Sequence, residues 1–176
     1  MKRLALLLLP FAALTSPSWA APVRDTAVQM TVVDKVDLGQ YLGQWYEIAR
    51  FPNKFEKGCT HVTATYALNA DETIKVANAC RKEGGNTVAE GKAWVESTAK
   101  LRVTFVPWLG NIAAGDYWIL DLKSDYSMAV VGAPEGGFGW ILARKPVLSN
   151  ADRDRAMAAF SKNGYDITQL EWVEQN

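Results

Sequence analysis

Eight short segments with the alternating pattern of a β-strand follow one another between residues 45 and 143. Turn-forming residues such as Asn69-Ala70-Asp71 and Gly84-Gly85-Asn86 separate them, and no helical pattern intervenes. Strands that follow each other without helices form antiparallel sheets, so the pattern predicts an all-β barrel or sandwich. The predicted strands span residues 45–50, 60–68, 73–80, 87–95, 101–106, 116–122, 127–132 and 138–143.

One α-helix is predicted after the last of these strands. Ser149 is a suitable N-cap with Asp152 three residues later, and Gly164 stands where a C′ glycine ends a helix. An apolar stripe between these signals predicts that the helix packs on the outside of the strands; it consists of Ala156, Met157, Ala159 and Phe160.

The first twenty residues have the pattern of a signal peptide. A basic start, Met1-Lys2-Arg3, precedes an apolar run over residues 4–14, and Ser18-Trp19-Ala20 fits a signal peptidase site. A buried N-terminal helix or a short membrane anchor is the alternative, although the run is too short to span a bilayer. The expected mature domain is therefore residues 21–176, exported from the cytoplasm.

Charge and cysteine content limit the class of protein further. The sequence has 19 basic and 19 acidic residues, and without Lys2 and Arg3 the balance is 17 to 19, a net charge of −2. This balance gives no electrostatic reason to expect nucleic acid as a partner. Cys59 and Cys80 are the only cysteines, which predicts one disulfide in an exported chain, with two buried free thiols as the alternative. If Tyr66 lies opposite Ile74 of the next strand, Cys80 pairs with Thr60 and Cys59 is one residue out of register, which a bulge after Gly58 or a ragged strand start would reconcile.

Two residues about a hundred positions apart predict how the strands close. Trp45 lies in the first predicted strand and Arg144 follows the last one. In a closed barrel these strands become neighbours, and the guanidinium can stack on the indole in a cation–π contact. This contact would close one end of the barrel and leave the other end open.

Alternation also predicts which side chains face the barrel interior. Small residues beside aromatic rings leave room for an apolar ligand, whereas a solid aromatic core is the alternative. Glu47 shares a face with Trp45, so its carboxylate should bond to Tyr66 or Tyr117, or meet the polar head of a ligand. The predicted inward set includes Glu47, Ala49, Ala64, Tyr66, Val76, Asn78, Gly91, Ala93, Val103, Phe105, Phe138 and Trp140.

Three motifs in order resemble the conserved regions of the lipocalins. They are Gly43-x-Trp45, Ser124-Asp125-Tyr126 before a strand, and Arg144 after Trp140-Ile141-Leu142. The longer stretch over residues 41–51, with Val62-Thr-Ala-Thr-Tyr66, is similar to the bacterial outer-membrane lipocalins, apolipoprotein D and the plant temperature-induced lipocalins. The resemblance covers roughly residues 34–175.

The resemblance implies an eight-stranded up-and-down barrel that carries fatty acids, lysophospholipids or similar amphiphiles for lipid storage or transport under stress. A carotenoid or tetrapyrrole cargo is an alternative, and no cofactor is expected. Gly43, Trp45 and Arg144 would have a structural role. The expected state is a monomer or weak dimer in the periplasm, secreted, or peripheral to the outer membrane, because no cysteine lies near the cleavage site for lipid attachment. The implied ligand contacts are Ala64, Tyr66, Val76, Asn78, Val103, Phe105, Phe138 and Trp140, to which alternation adds Glu47, Ala49 and Tyr117.

Two other functions compete with a carrier. Some lipocalins are isomerases that use a cavity thiol, so a free Cys80 would support an enzyme, although the single histidine, His61, is predicted to face outward. The open-end loops, and Trp108 in particular, could instead contact a protein partner or a membrane. We expect a carrier without enzymatic activity.

Overall fold

The computed structural model describes residues 22–175, and the predicted signal peptide lies outside the described residues. Eight antiparallel strands form a closed barrel in which β1 pairs with both β2 and β8. All eight predicted strands are present, with ends that differ by at most two residues. The strands are β1 Gly43–Arg50, β2 Thr60–Leu68, β3 Ile74–Lys82, β4 Gly85–Ser97, β5 Lys100–Thr104, β6 Gly115–Leu122, β7 Met128–Gly132 and β8 Gly139–Ala143.

Two α-helices flank the barrel. The single turn α1 spans Leu38–Tyr41 and leads directly into β1. The longer helix α2 spans Asn150–Lys162, and the Ser149 side chain caps it by accepting a hydrogen bond from the Asp152 amide, as predicted. In the described part of the chain, no helix has both the length and the apolar character needed to cross a membrane.

The C-terminal segment completes the seam between β1 and β2. These strands pair directly only over residues 43–46 of β1. Farther along, the short strand β9, Glu171–Trp172, pairs with β1, and the Val173 amide donates a hydrogen bond to the Ile48 carbonyl oxygen at 2.9 Å. On the other side, the His61 amide donates to the Glu174 carbonyl oxygen at 2.7 Å. The last residues of the chain therefore bridge the two strands where they diverge.

A bulge in β1 contradicts one prediction. Glu47 pairs with Leu142 of β8, but the register shifts at the next residue, so that Ala49 pairs with Ile141. Ala49 and Ile141 belong to the buried cluster between barrel and helix, not to the interior. The prediction that Ala49 faces a ligand is therefore wrong, because the extra residue of a bulge reverses the alternation that follows it.

The pairing of β2 with β3 also differs from the expected register. Tyr66 lies opposite Val76. Because the shift from the expected partner is an even number of residues, the inward face is unchanged. A bulge between Thr60 and Thr63 shifts the register of β2 against β3 next to the two cysteines, as their pairing requires. Cys59 and Cys80 form the predicted disulfide, with Cα atoms 5.5 Å apart.

The barrel wall separates the hydrophobic core into two clusters, one inside the barrel and one under α2. Inward-facing side chains of all eight strands form an interior cluster, against which Val32 and Val33 of the N-terminal segment also pack. Outward-facing residues of β1, β6, β7 and β8 form a second cluster with Ala156 and Phe160 of α2, as the apolar stripe of the helix predicts. Every residue of β7 is buried because one face lies inside the barrel and the other lies under the helix.

Candidate functional site: a half-filled barrel

One end of the barrel is closed by the predicted pair of residues. The Arg144 guanidinium lies over the Trp45 ring, 3.8 Å from its centroid, and Trp45 is fully buried. Arg144 also donates hydrogen bonds to the carbonyl oxygens of Gln40 and Gln44, both at 2.7 Å, and of Leu42 at 2.9 Å. The predicted closure of this end is confirmed.

Three tyrosines fill the barrel above this closed end. The Tyr117 hydroxyl is 2.8 Å from that of Tyr41 and 3.0 Å from that of Tyr66, and all three groups are buried. Burial raises the pKa of Tyr66 to about 12 and those of Tyr41 and Tyr117 well above 10, so the hydroxyls stay protonated and bonded to each other. Tyr66 and Tyr117 face inward as predicted, but they form the floor of the interior together with the buried Ala64 and Val76.

Several inward-facing residues in the other half of the interior retain exposure to solvent. Along the inner face of β4, Ala93 and Gly91 are buried whereas Ala89 is exposed. Phe105, just after β5, is 41% exposed, and Val103 before it is partly buried. This upper half of the barrel is called the cup below. The exposed residues Ala89 and Phe105 lie at the end away from Arg144, so we place the mouth of the cup there.

Gly91 explains why an aromatic ring fits inside the wall of the cup. A Cβ atom at Gly91 would lie 2.9 Å from the Phe105 ring and 2.7 Å from the Thr104 carbonyl oxygen. Only glycine therefore lets the Phe105 ring lie against the inner face of β4. The predicted inward orientation of Phe105 agrees with this contact; its contact with a ligand stays a prediction.

Aromatic side chains at the start of β8 also border the cup. Phe138 stacks on Trp140 with ring centroids 5.5 Å apart, and on the exposed Phe55 at 6.2 Å. The Trp140 indole donates a hydrogen bond to Glu56 at 3.0 Å. Glu56 and Phe55 come from the connection between β1 and β2, which the alternation pattern of the strands could not place.

The inward carboxylate has a different partner from the one predicted. Glu47 is only 4% exposed, and its Oε1 atom accepts a hydrogen bond from Arg50 at 2.9 Å, not from Tyr66 or Tyr117. Arg50 is 6% exposed and also donates to the Cys59 carbonyl oxygen at 3.2 Å. Burial, followed by the charge of Glu56, raises the pKa of the Glu47 carboxyl well above 4.5. The bulge after Glu47 brings Arg50 to the inner face, which is why strict alternation missed it.

The inner face of β3 carries a polar atom without a partner. Asn78 lies opposite Ala64 of β2 and faces inward as predicted. Its Oδ1 atom is buried and accepts no hydrogen bond. The cup therefore contains one unused hydrogen-bond acceptor.

The connection between β5 and β6 is apolar yet exposed. Residues 105–114 contain no charged side chain, and the 3-10 helix Pro107–Ala113 exposes Trp108 by 83% and Ile112 by 91%. Pro107 and Gly110 border a depression of about 410 Å3 on the outer wall, beside Trp94 of β4. This connection lies at the open end because it joins the same ends of the strands as the connection between β1 and β2.

Two features bear on the enzyme alternative. Cys80 is bonded to Cys59, so the thiol that a cavity isomerase needs is not free. Among residues 22–175, no group of three or more His, Cys, Asp or Glu side chains could hold a metal ion. His61 lies in the β2 bulge at the barrel seam, where its ring contacts Thr60 and Arg81.

Comparisons with known proteins agree with this architecture. A family model for a lipocalin-like domain matches residues 36–175. The outer membrane lipoprotein Blc of Citrobacter freundii is 38% identical over 156 residues, covering 83% of each chain. Temperature-induced lipocalin-1 of Arabidopsis thaliana is 36% identical over 156 residues, covering 84% of each chain. Among solved structures, the cockroach allergen Per a 4 has a TM-score of 0.66 and covers 86% of this chain and 97% of its own. Its identity of 17% supports the fold alone.

Proposed function

This chain belongs to the lipocalin family, and we propose that it carries small amphiphiles such as fatty acids or lysophospholipids in the cup. The observation that carries the proposal is a packed tyrosine floor in the barrel, above which the inward-facing apolar residues Val103, Phe105 and Trp140 retain exposure to solvent. Family membership supports binding of a small hydrophobic ligand. The storage or transport of lipid for maintenance of the cell envelope under stress is the finer role that we propose.

The ligand tail should contact the upper residues of the predicted set. Val103, Phe105 and Trp140 are apolar, face inward and retain partial exposure, so a bound acyl chain would remove their remaining surface from water. Tyr66 and Tyr117 already satisfy each other's hydroxyls and pack tightly below. A ligand would therefore lie on the tyrosine floor without displacing it.

Substitution of the cup residues tests this role. Phe105→Ala and Trp140→Ala should each weaken binding of a fluorescent fatty acid roughly tenfold, because each removes one large apolar contact. Val147→Ala is the control, since Val147 is equally apolar but exposed beyond the closed end of β8. Thermal unfolding should show that all variants fold. Unchanged affinity in both cup variants would place the ligand elsewhere, and native mass spectrometry of protein from its own host would identify the cargo.

A carrier without enzymatic activity fits the state of the cysteines. An isomerase of the thiol type requires a free Cys80, whereas Cys80 is bonded in the structure. Titration of thiols under denaturing, non-reducing conditions should find none. Two free thiols would favour the enzyme.

We also propose that the protein works in the periplasm and touches membranes only peripherally. Relatives named outer membrane lipoprotein are consistent with a place in the cell envelope. Both cysteines are in the disulfide, so neither is available for lipid attachment. The exposed Trp108 and Ile112 could enter the interface of a bilayer. Flotation with phospholipid vesicles should recover the wild type, and a Trp108→Ser, Ile112→Ser variant should remain unbound; equal recovery would contradict membrane contact through this loop.

A further inference from the structure

Arg50 is a buried cation that keeps spare hydrogen-bond donors. It is only 6% exposed, and it donates to Glu47 Oε1 at 2.9 Å and to the Cys59 carbonyl oxygen at 3.2 Å. A guanidinium has five N–H groups, and the other three have no hydrogen-bond partner among residues 22–175. Because a buried charge is costly unless it is paired and hydrogen-bonded, a further acceptor is expected beside Arg50.

The two carboxyl groups next to Arg50 match its charge only in part. Burial raises the pKa of the Glu47 carboxyl well above 4.5, so this group neutralises the guanidinium less than an ordinary carboxylate would. Glu171 Oε2 lies 3.9 Å from Arg50 Nε, which is longer than a hydrogen bond, and the Glu171 side chain is 56% exposed. Exposed carboxylates are screened by water and salt, so Glu171 compensates a buried cation weakly.

A depression of about 430 Å3 lies beside this guanidinium. Arg50 borders it together with Lys54 and Lys57 of the connection between β1 and β2, and both lysines are exposed. Glu171 borders the same depression, so the Nε edge of Arg50, which lies next to Glu171, faces this space. Three cationic side chains and one carboxylate therefore surround a space large enough for a small anionic group.

The depression is close to the cup. Arg50 pairs with Trp140 across β1 and β8, so the two side chains leave the same face of the sheet as neighbours. Glu56, a further carboxylate of the connection, accepts hydrogen bonds from Trp140 and from Asn53. An anion held by Arg50 would thus lie within reach of an apolar tail that rests on Trp140.

We propose that the depression beside Arg50 is an anion site, which takes a carboxylate or phosphate group. Arg50 would supply a fixed, planar set of donors, and Lys54 and Lys57 would supply mobile ammonium groups. The anion can be the acidic head group of an amphiphile whose tail lies in the cup, and this source rests on the proposed function. A free phosphate ion is the other source of the same chemistry.

Three amphiphiles with the same ten-carbon chain test the site: decanol, decanoate and decyl phosphate. An apolar cup alone would favour the alcohol, because a charged head group loses hydration on entry. Titration calorimetry at neutral pH, below the micelle concentration, should instead give dissociation constants for both anions about tenfold or more below that of decanol, as hydrogen bonds to a charged group typically provide. In Arg50→Gln this preference should disappear while decanol binds as in the wild type.

Charge variants of opposite sign keep the test independent of folding. The double variant Lys54→Gln, Lys57→Gln should reduce the preference for decanoate about threefold, whereas Glu171→Gln should raise it about twofold, since exposed charges act weakly. Lys145→Gln and Glu90→Gln are the matched controls, because both residues are exposed elsewhere on the barrel, and neither should change the preference. A loss of stability cannot shift one preference in two directions. Equal effects in the site variants and the controls would contradict the assignment.

Inorganic phosphate alone distinguishes the two sources of the anion. Compared with chloride at equal ionic strength, phosphate should raise the unfolding temperature of the wild type but not of Arg50→Gln. If phosphate stabilises the protein while decanol and decanoate bind equally, the site takes free anions and not head groups. If neither effect is seen, the anion site is overturned. If decanol itself does not bind, the proposed carrier function fails, and the phosphate measurement still decides the anion site.

Discussion

Arg144 secures the closed end of the barrel through a single guanidinium. It lies against the Trp45 indole and holds carbonyl oxygens of the segment that joins α1 to β1. Arg144→Ala would lose the cation–π contact and leave those oxygens without their donor. We expect the free energy of unfolding to fall by about 2–3 kcal/mol, with little change in ligand affinity, as measured by urea unfolding and by lipid titration.

Arg155 provides the control for Arg144. Arg155 likewise makes several hydrogen bonds through its guanidinium, but it donates two of them to the Asp121 carboxylate on the surface. Arg155→Ala should cost at most about 1 kcal/mol, because exposed ion pairs contribute little. Equal losses in the two variants, or a large loss of affinity at unchanged stability in Arg144→Ala, would contradict the structural role of Arg144.

Glu47 should make the protein less stable as the pH rises. Burial, followed by the charge of Glu56, raises the pKa of its carboxyl well above 4.5 in the folded protein. The folded state therefore keeps a proton that the unfolded chain has released. The stability due to this group is complete below the unfolded pKa of about 4.5 and is lost as the pH rises through the folded pKa.

Glu47→Gln tests this linkage. The amide oxygen can still accept from Arg50, but the side chain no longer titrates, so the decline in the free energy of unfolding above about pH 5 should become smaller. Urea unfolding at several pH values between about 5 and 8 measures this slope. Asp71, whose pKa is lowered to about 2 by Lys92, acts only below this range. An identical slope in the wild type and the variant would show that Glu47 does not titrate there.

At the scale of elements, the C-terminal segment takes the place of direct strand pairing. The Val173 amide bonds to β1, and the Glu174 carbonyl oxygen accepts a hydrogen bond from β2. Val173→Pro removes the donor and should lower the free energy of unfolding by about 1–3 kcal/mol. Val173→Ala keeps the amide and should have the smaller effect. Hydrogen exchange of the His61 amide should accelerate in the proline variant alone; unchanged exchange would mean that the seam does not depend on this segment.

Alternation predicted the strands of this barrel well because each has one face inside and one outside. The same rule failed at Ala49, since a bulge adds a residue without any change in composition that marks it. The same bulge turns Arg50 to the inner face beside Glu47, so alternation did not predict Arg50 as a residue of the cup. Glu56 was missed for a different reason: it lies in a connection, where no periodicity relates a residue to the interior.

At the scale of the whole molecule, the sequence indicated a barrel but not how much of it is filled. Periodicity predicts which residues face inward. How far each aromatic side chain extends into the barrel depends on its packing against residues from other strands. Tyr66 and Tyr117 face inward as predicted and meet each other across the barrel, and their contact with a ligand stays a prediction. Phe105 stays beside the wall only because Gly91 lies opposite its ring, a match between two strands that a single sequence does not display.

The disulfide connects the stability of the barrel to the shape of the cup. Cys59 ends the connection between β1 and β2, Cys80 lies in β3, and the Cys59 carbonyl oxygen holds Arg50. A Cys59→Ala, Cys80→Ala variant should lose about 3 kcal/mol of unfolding free energy, the chain-entropy value for a loop of this length. Its affinity for a fluorescent fatty acid should also fall, because Phe55 and Glu56 lie in the same connection and would lose their fixed positions beside Phe138 and Trp140. Dithiothreitol should reproduce both effects in the wild type and change nothing in the variant. If the affinity stays constant while stability falls, hydrogen bonds from Asn53 and Trp140 are sufficient to hold Glu56 at the cup.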